Sequence, residues 1–268
     1  MKGNYAPLNF NLYVYYPGRR IVGFHIILDP RCIYRVGVLE SVVRVFSSRR
    51  IPILHFITTK SAEGNVYADF FVDLSTAEHV DIGTLILGLK AAPHVLDVKL
   101  VEPLFDGFVF SYNYFPLMAF GERAIILPKR DYEGFIKLSR QKLGSGFNTI
   151  LYIVGYDVGV NAFKKGHSPI AKDDVKKLIK VCQAFFQHVG FGVLKIEKLD
   201  LEKLEAIVKV YNCFECELFK GADRLQSHFV RGVLAGWFSQ LFKKDVTAIE
   251  IACIAKGDPY CLFKLNPK

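Results

Sequence analysis

Cysteine is scarce in this chain: Cys32, Cys182, Cys213, Cys216, Cys253 and Cys261 are the only six in 268 residues. That density is too low for a disulfide scaffold and points to reduced thiols. No run of about 18 uncharged apolar residues occurs, so no membrane-spanning helix is expected. The opening, MKGNYAPLNFNLYVYY, puts polar residues where a secretory leader needs an apolar stretch. The expected location is cytoplasmic. Helix-turn-helix patterning, a glycine-rich phosphate loop, internal repeats and low-complexity stretches are all missing, which removes the commonest DNA-reading and nucleotide-binding readings. Tryptophan occurs once, as Trp237.

Apolar residues make up 51% of the chain and aromatics 14%, enough for a large core or two modest ones. The formal charge is +9, and most of the excess falls after residue 103. Lysines crowd the segment KKGHSPIAKDDVKKLIK (164–180). Lysine without arginine or interleaved aromatics is read as a solvated helix face, so a nucleic-acid partner is not favoured.

Residues 1–103 read β-α-β-β-α-β. IVGFHIIL is a strand of buried type, Val38, Val42, Val45 and Phe46 recur at helical spacing, and KSAEGN joins two strands as a hairpin. HVDIGTLILGLKAA is a second helix and VLDVKLVEP the closing strand. The order is the split βαβ, or ferredoxin-like, arrangement. Pro103 and Gly107 mark a boundary, and residues 104–268 form the second expected domain. There, DYEGFIKLSRQKL, FNTILYIVGYDVGVNAFKK, AKDDVKKLIKVCQAFFQHVG and DRLQSHFVRGVLAGWFSQLFKKD read as helices. GFGVLKIEKLD, EAIVKVYNCFECELF and the terminal VTAIEIACIAKGDPYCLFKL read as strands. The fold class is therefore α+β: a βαββαβ module, then a mixed domain with an antiparallel sheet packed on helices.

Three features carry chemistry. The first is EIACIAKGDPYC, in which Glu250, Cys253 and Cys261 surround a KGDP turn. Two thiolates and a carboxylate suit zinc, but Glu250 and Cys253 face opposite sides of a regular strand. Joint ligation needs a break near Ile251–Ala252. The alternative is a metal-free hairpin with two small apolar residues. The second is a set of aromatics able to line a cavity: Tyr152, Tyr156, Tyr211, Phe214 and Trp237. The third is a pair of four-residue glycine spacings, Gly155/Gly159 and Gly232/Gly236, which leave room for a ligand or for close helix packing.

LDPRCIYRVGVLESVVRVF, with the element order around it, resembles ACT-type regulatory modules. The resemblance implies an effector site at Asp29 and Gly37. ILYIVGYDVG, YNCFECEL, SHFVRGVLAGWFSQLF and EIACIAKGDPYCLFKL, in that order, resemble the 4-vinyl reductase domain. That family includes sensor domains of aromatic-responsive activators and archaeal stand-alone proteins. It shares its fold with subunits of a vesicle-tethering complex. The resemblance implies a buried small hydrophobic or aromatic ligand, a homodimer, and zinc on Glu250, Cys253 and Cys261. It puts the fourth ligand at position 227, which is serine here. His228 is the neighbouring candidate, with Cys213 or Cys216 as others. The implied function is a non-enzymatic ligand sensor that signals to a regulatory partner. The alternatives are a zinc-dependent enzyme with an open metal position and a basic scaffold.

Overall fold

The computed structural model describes residues 5–60, 64–77, 79–172 and 174–268. Ser61, Ala62 and Glu63 of the expected hairpin turn, and Asp173 of the lysine-rich segment, lie outside the described residues. The chain divides into two compact units, Met1–Met118 and Ala119–Lys268, and the fold class is α+β.

The first unit contains β1 (Tyr13–Tyr15), β2 (Ile21–Leu28), α1 (Val38–Ser47), β3 (Ile53–Lys60), β4 (Val66–Asp73), α2 (Ile82–Lys90), β5 (Val95–Val101), β6 (Pro103–Phe105) and β7 (Phe108–Phe110). Its main sheet runs β3-β4-β2-β5, every pair antiparallel. That is the ferredoxin-like order expected from two interleaved βαβ units. The near-continuous apolar run of β2 has a physical cause. Phe24, Ile26 and Leu28 share a core with Val42 and Phe46 of α1 and Leu85 and Leu89 of α2. Ile21 packs on the other face with Phe71, Val101, Val14 and Val109. A strand covered on both sides does not alternate.

The first domain extends past the expected boundary at residue 103. β6 and β7 turn back and pair with β1, Tyr13 opposite Phe110. Gly107 makes that turn at φ 67, where a Cβ would lie 2.0 Å from the Tyr16 carbonyl oxygen. The proline and glycine that signal a boundary in the sequence are hairpin residues. The two effector candidates sit on the β2–α1 connection in conformational roles. Asp29 caps a 3₁₀ turn, accepting from the Arg31 N–H at 2.8 Å and from the Arg31 guanidinium. Gly37 holds the left-handed position before α1 at φ 88.

The second unit opens with a hairpin of β8 (Met118–Ala119) and β9 (Glu122–Arg123). Then come α3 (Lys129–Glu133), a π turn, α4 (Ser139–Leu143), α5 (Ser145–Asn161), a second π turn over Ala162–His167, α6 (Ser168–Ala171) and α7 (Val175–His188). The order continues with β10 (Val193–Asp200), β11 (Glu205–Tyr211), α8 (Phe214–Glu217), α9 (Phe229–Phe242), β12 (Val246–Ala252) and β13 (Cys261–Pro267). The sheet order is β10-β11-β13-β12, antiparallel throughout.

Helices α5 and α9 cross backbone to backbone through the four glycines. A Cβ on Gly155 or Gly159 would fall 2.2 or 2.1 Å from the Phe229 or Val233 carbonyl oxygen. One on Gly232 or Gly236 would fall 2.2 or 2.0 Å from the Tyr152 or Tyr156 oxygen. The glycine stripe is thus the buried face of α5, whereas Ile150, Ile153 and Val154, which the sequence groups as an apolar side, are exposed. No helix among the described residues is long and apolar enough to cross a membrane.

Candidate functional site

The thiol–carboxylate cluster arises from two local departures from strand geometry. Asn212 turns into the left-handed region at φ 52 and ends β11. The following CFECE coils into the single turn of α8 with Cys213 at its N-cap. The sequence reads this stretch as strand, with the two thiols on opposite faces. On a helical turn, residues three apart lie on one side. The second departure is a register shift between Glu250 and Ala252 in the β12–β13 pairing. It is the break that joint ligation requires. Gly257 then turns the chain at φ 100, and the Asp258 carboxylate accepts the Cys253 N–H at 2.8 Å.

Together these bring one ligand atom each from Cys216, Glu250, Cys253 and Cys261 within 4.8 Å of one another, all on buried residues. Cys253 and Cys261 Sγ are 4.0 Å apart, and Cys216 Sγ is 3.8 Å from Glu250 Oε1. Thiolates about 2.3 Å from a tetrahedral zinc stand ~3.8 Å from each other, so the spacing fits a mononuclear site. Burial, then the neighbouring Cys253, pushes the Glu250 carboxyl up to about 8. Hydrogen bonds from Cys216 and Cys261 draw the Cys213 thiol down to about 6. A buried set of acids this close cannot ionise together without a cation.

His228 is not one of the four. Its backbone N–H donates to Glu215 Oε1 at 2.9 Å, and burial, then Arg140 and Arg231, push its ring down to about 4. Ser227 lies against the cluster. Its N–H donates to Glu250 Oε2 at 3.1 Å, and its buried hydroxyl has no hydrogen-bond partner. Glu215, which the sequence reading passes over, is fully buried. It accepts the N–H groups of His228, Phe229 and Val230 at 2.9, 3.1 and 3.0 Å, capping α9, and pairs with Arg140. An acid inside a CxxC motif carries no such signal, because its partners are 13 to 75 residues away.

The second feature is a cavity of about 480 Å³ in the same unit, walled by Phe120, Phe185, Phe186, Phe191, Val233 and Trp237, with His167, Lys165 and Asp157 among its polar residues. Trp237 Nε1–H donates to His167 Nδ1 at 2.8 Å. Burial pushes His167 down to about 4, so the ring is neutral at pH 7. With Nδ1 accepting, the ring proton sits on Nε2, the donor His167 has left to offer.

Of the aromatics expected around a ligand, Trp237 lines the cavity and the others do not. Tyr152 and Tyr156 stand on α5 at the glycine crossing, and Tyr152 carries the Arg231 guanidinium 5.3 Å over its ring. Tyr211 meets Tyr260 on the sheet. Phe214 stacks at 5.2 Å behind Phe191, one layer from the cavity. His167 is hidden in the sequence by the lysines around it.

Residues 206–267 match the family model of the 4-vinyl reductase domain. The match covers β11 through β13 and so contains all four residues of the metal-capable cluster. Two uncharacterized proteins of Methanocaldococcus jannaschii are similar. MJ0150 is 26% identical over 120 residues, 45% of this chain and 65% of that protein. MJ0745 is 32% identical over 116 residues, 43% of this chain and 55% of that protein. The chain thus spans less than two thirds of the length of these relatives. Among solved structures, the phenol-responsive sensory domain of the transcription activator PoxR, with phenol, shares the fold. Its TM-score is 0.51 at 16% identity, over 55% of this chain and 78% of that one.

Proposed function

We propose that the second unit takes up a small apolar molecule carrying a hydrogen-bond acceptor, and that the protein is a non-enzymatic, ligand-responsive regulator. The observation that carries this reading is the cavity with a neutral, tautomer-fixed His167 in its wall. Its volume is about 480 Å³, inside the ~300–1,000 Å³ range of small-molecule pockets. Apolar walls supply affinity, and the single oriented Nε2–H selects a hydroxyl, ether or carbonyl oxygen over a bare hydrocarbon. The fold shared with a phenol-responsive sensory domain supports the same class of guest. Ligand uptake regulates through whichever conformation binds more tightly, and the response passes to a protein partner.

The thiol–carboxylate group holds zinc in this reading. Three sulfurs and one carboxylate oxygen are soft-to-borderline donors of the kind zinc takes, and they are acids crowded against one another. When bound, zinc supplies a cross-link between α8 and the β12–β13 hairpin. A second copy of the chain covers the exposed Ile150, Ile153 and Val154 on α5, giving a homodimer, and the six free thiols suit the cytoplasm.

The test is calorimetric titration of the full chain with benzyl alcohol, beside Gly166→Leu. Gly166 lines the cavity, and a side chain added there meets nothing within 4 Å. Saturable one-to-one heat in the parent, lost in a variant that melts normally, is the expected result. Absence of heat from benzyl alcohol and from larger aromatic alcohols alike removes the reading.

A further inference from the structure

The donor that completes the metal site comes from a segment other than the hairpin. Glu250 and Cys253 belong to the β12 side of the hairpin and Cys261 opens β13. These three alone leave one tetrahedral position. Near it stand two thiols on α8, a hydroxyl at 227 and the imidazole of His228. Cys216 is the candidate whose ligand atom falls within 4.8 Å of all three others. Cys213 is fully buried and hydrogen-bonds to Cys216 and Cys261, but it is outside that set of four. Ser227 turns its N–H, not a ligand atom, to the Glu250 carboxylate, and leaves a buried hydroxyl without a partner. The charge is answered locally, because Arg140 acts on both Cys216 and Glu250 and Arg231 acts on Glu250.

We propose that Cys216 is the fourth ligand, closing a Cys₃Glu site for a thiophilic divalent cation of the zinc class, with Cys213 donating a hydrogen bond from outside the coordination sphere. The proposal rests on the zinc reading above and specifies it residue by residue. A closed four-donor site has no position for a substrate or an activated water, so its work is structural. What it ties down is specific. The α8 turn also carries Phe214, which backs the cavity wall through Phe191, and Glu215, which caps α9. The metal thereby fastens the turn that supports both the cavity wall and the N-terminus of the helix bearing Trp237.

The experiment uses the untagged full chain. Zinc is counted by elemental analysis, and the affinity is read by chelator competition. The thiolate-to-metal charge-transfer band is read after cobalt replaces zinc. The parent is expected to hold one metal per chain with a three-thiolate band. Cys216→Ser is expected to lose more than ~100-fold in affinity, beyond what a supporting residue costs, and about a third of the band. Cys213→Ser is expected to keep both. The parent's own band stands independent of any variant's folding, and two thiolates there overturn the proposal. So does a Cys216→Ser protein that binds as tightly as the parent, although the zinc reading then survives. A parent with no metal, and none taken up from zinc solution, overturns both.

Discussion

The two units treat buried acids in opposite ways. In the first, Asp69 Oδ1 lies 2.6 Å from His25 Nδ1 and accepts the Tyr114 hydroxyl at 2.8 Å, while Asp73 accepts from Arg19 at 2.6 Å and from the Ser75 N–H at 2.9 Å. Each acid is met by a donor of the same unit. In the second, Cys216, Cys253, Cys261 and Glu250 face one another, and the neighbouring cavity has apolar walls with one fixed donor. Four acids turned inward, beside a cavity of ligand size, suit a unit completed from outside. The first unit is finished by its own side chains.

The glycine crossing is where the second unit breaks most severely. Gly236→Leu places carbon 2.0 Å from the Tyr156 oxygen, so α5 and α9 must part, at more than ~4 kcal/mol. Segment-resolved hydrogen exchange is expected to show protection lost from residues 119–268 and kept in the first unit. Gly146→Ala, on α5 with nothing within 4 Å, is expected to leave stability unchanged or raise it by up to ~1 kcal/mol.

Next in size is Glu215→Ala. It removes the α9 cap and leaves Arg140 buried without its carboxylate, at about 3–5 kcal/mol in chemical denaturation. An effect below ~1 kcal/mol would mean that this pair behaves as an exposed one.

The pH dependence follows from His167. Its folded pKa is about 4 against an ordinary 6.5. As pH falls, the unfolded chain takes up the proton first. Stability is therefore full above pH 6.5 and drains as pH falls from 6.5 to about 4, by about 3 kcal/mol in total. His228 shifts in the same direction. His167→Gln is expected to flatten part of that slope in melts taken across the window, and an unchanged slope would contradict a neutral, buried ring.

The smallest effect belongs to the surface. Glu40→Ala removes the exposed ion pair with Arg44 on α1 and is expected to change stability by less than ~0.5 kcal/mol.

The legible parts of this sequence were those set by short-range periodicity. The βαββαβ order, the glycine pairs and the break demanded between Glu250 and Cys253 all follow from the strand and helix periods. The illegible parts depend on long-range return or on a single backbone angle. β6 and β7 look like a linker until they pair with β1 across the first domain. The left-handed turn at Asn212 changes CFEC from a strand into a helix and brings Cys216 in place of His228. The tyrosines of α5 look like cavity wall, yet the glycines beside them draw α9 so close that no cavity remains there. His167 becomes informative only when Trp237, 70 residues away, takes its Nδ1.

The central claim is that the cavity in the second unit receives a small apolar guest, and the chain carries its own reporter. Trp237 is the single tryptophan and stands in the cavity wall. Its emission, followed during titration of the full chain with benzyl alcohol, is predicted to shift saturably in the parent and to stay flat in Gly166→Leu. Emission that drifts linearly with added alcohol, and identically in the two proteins, would contradict the account.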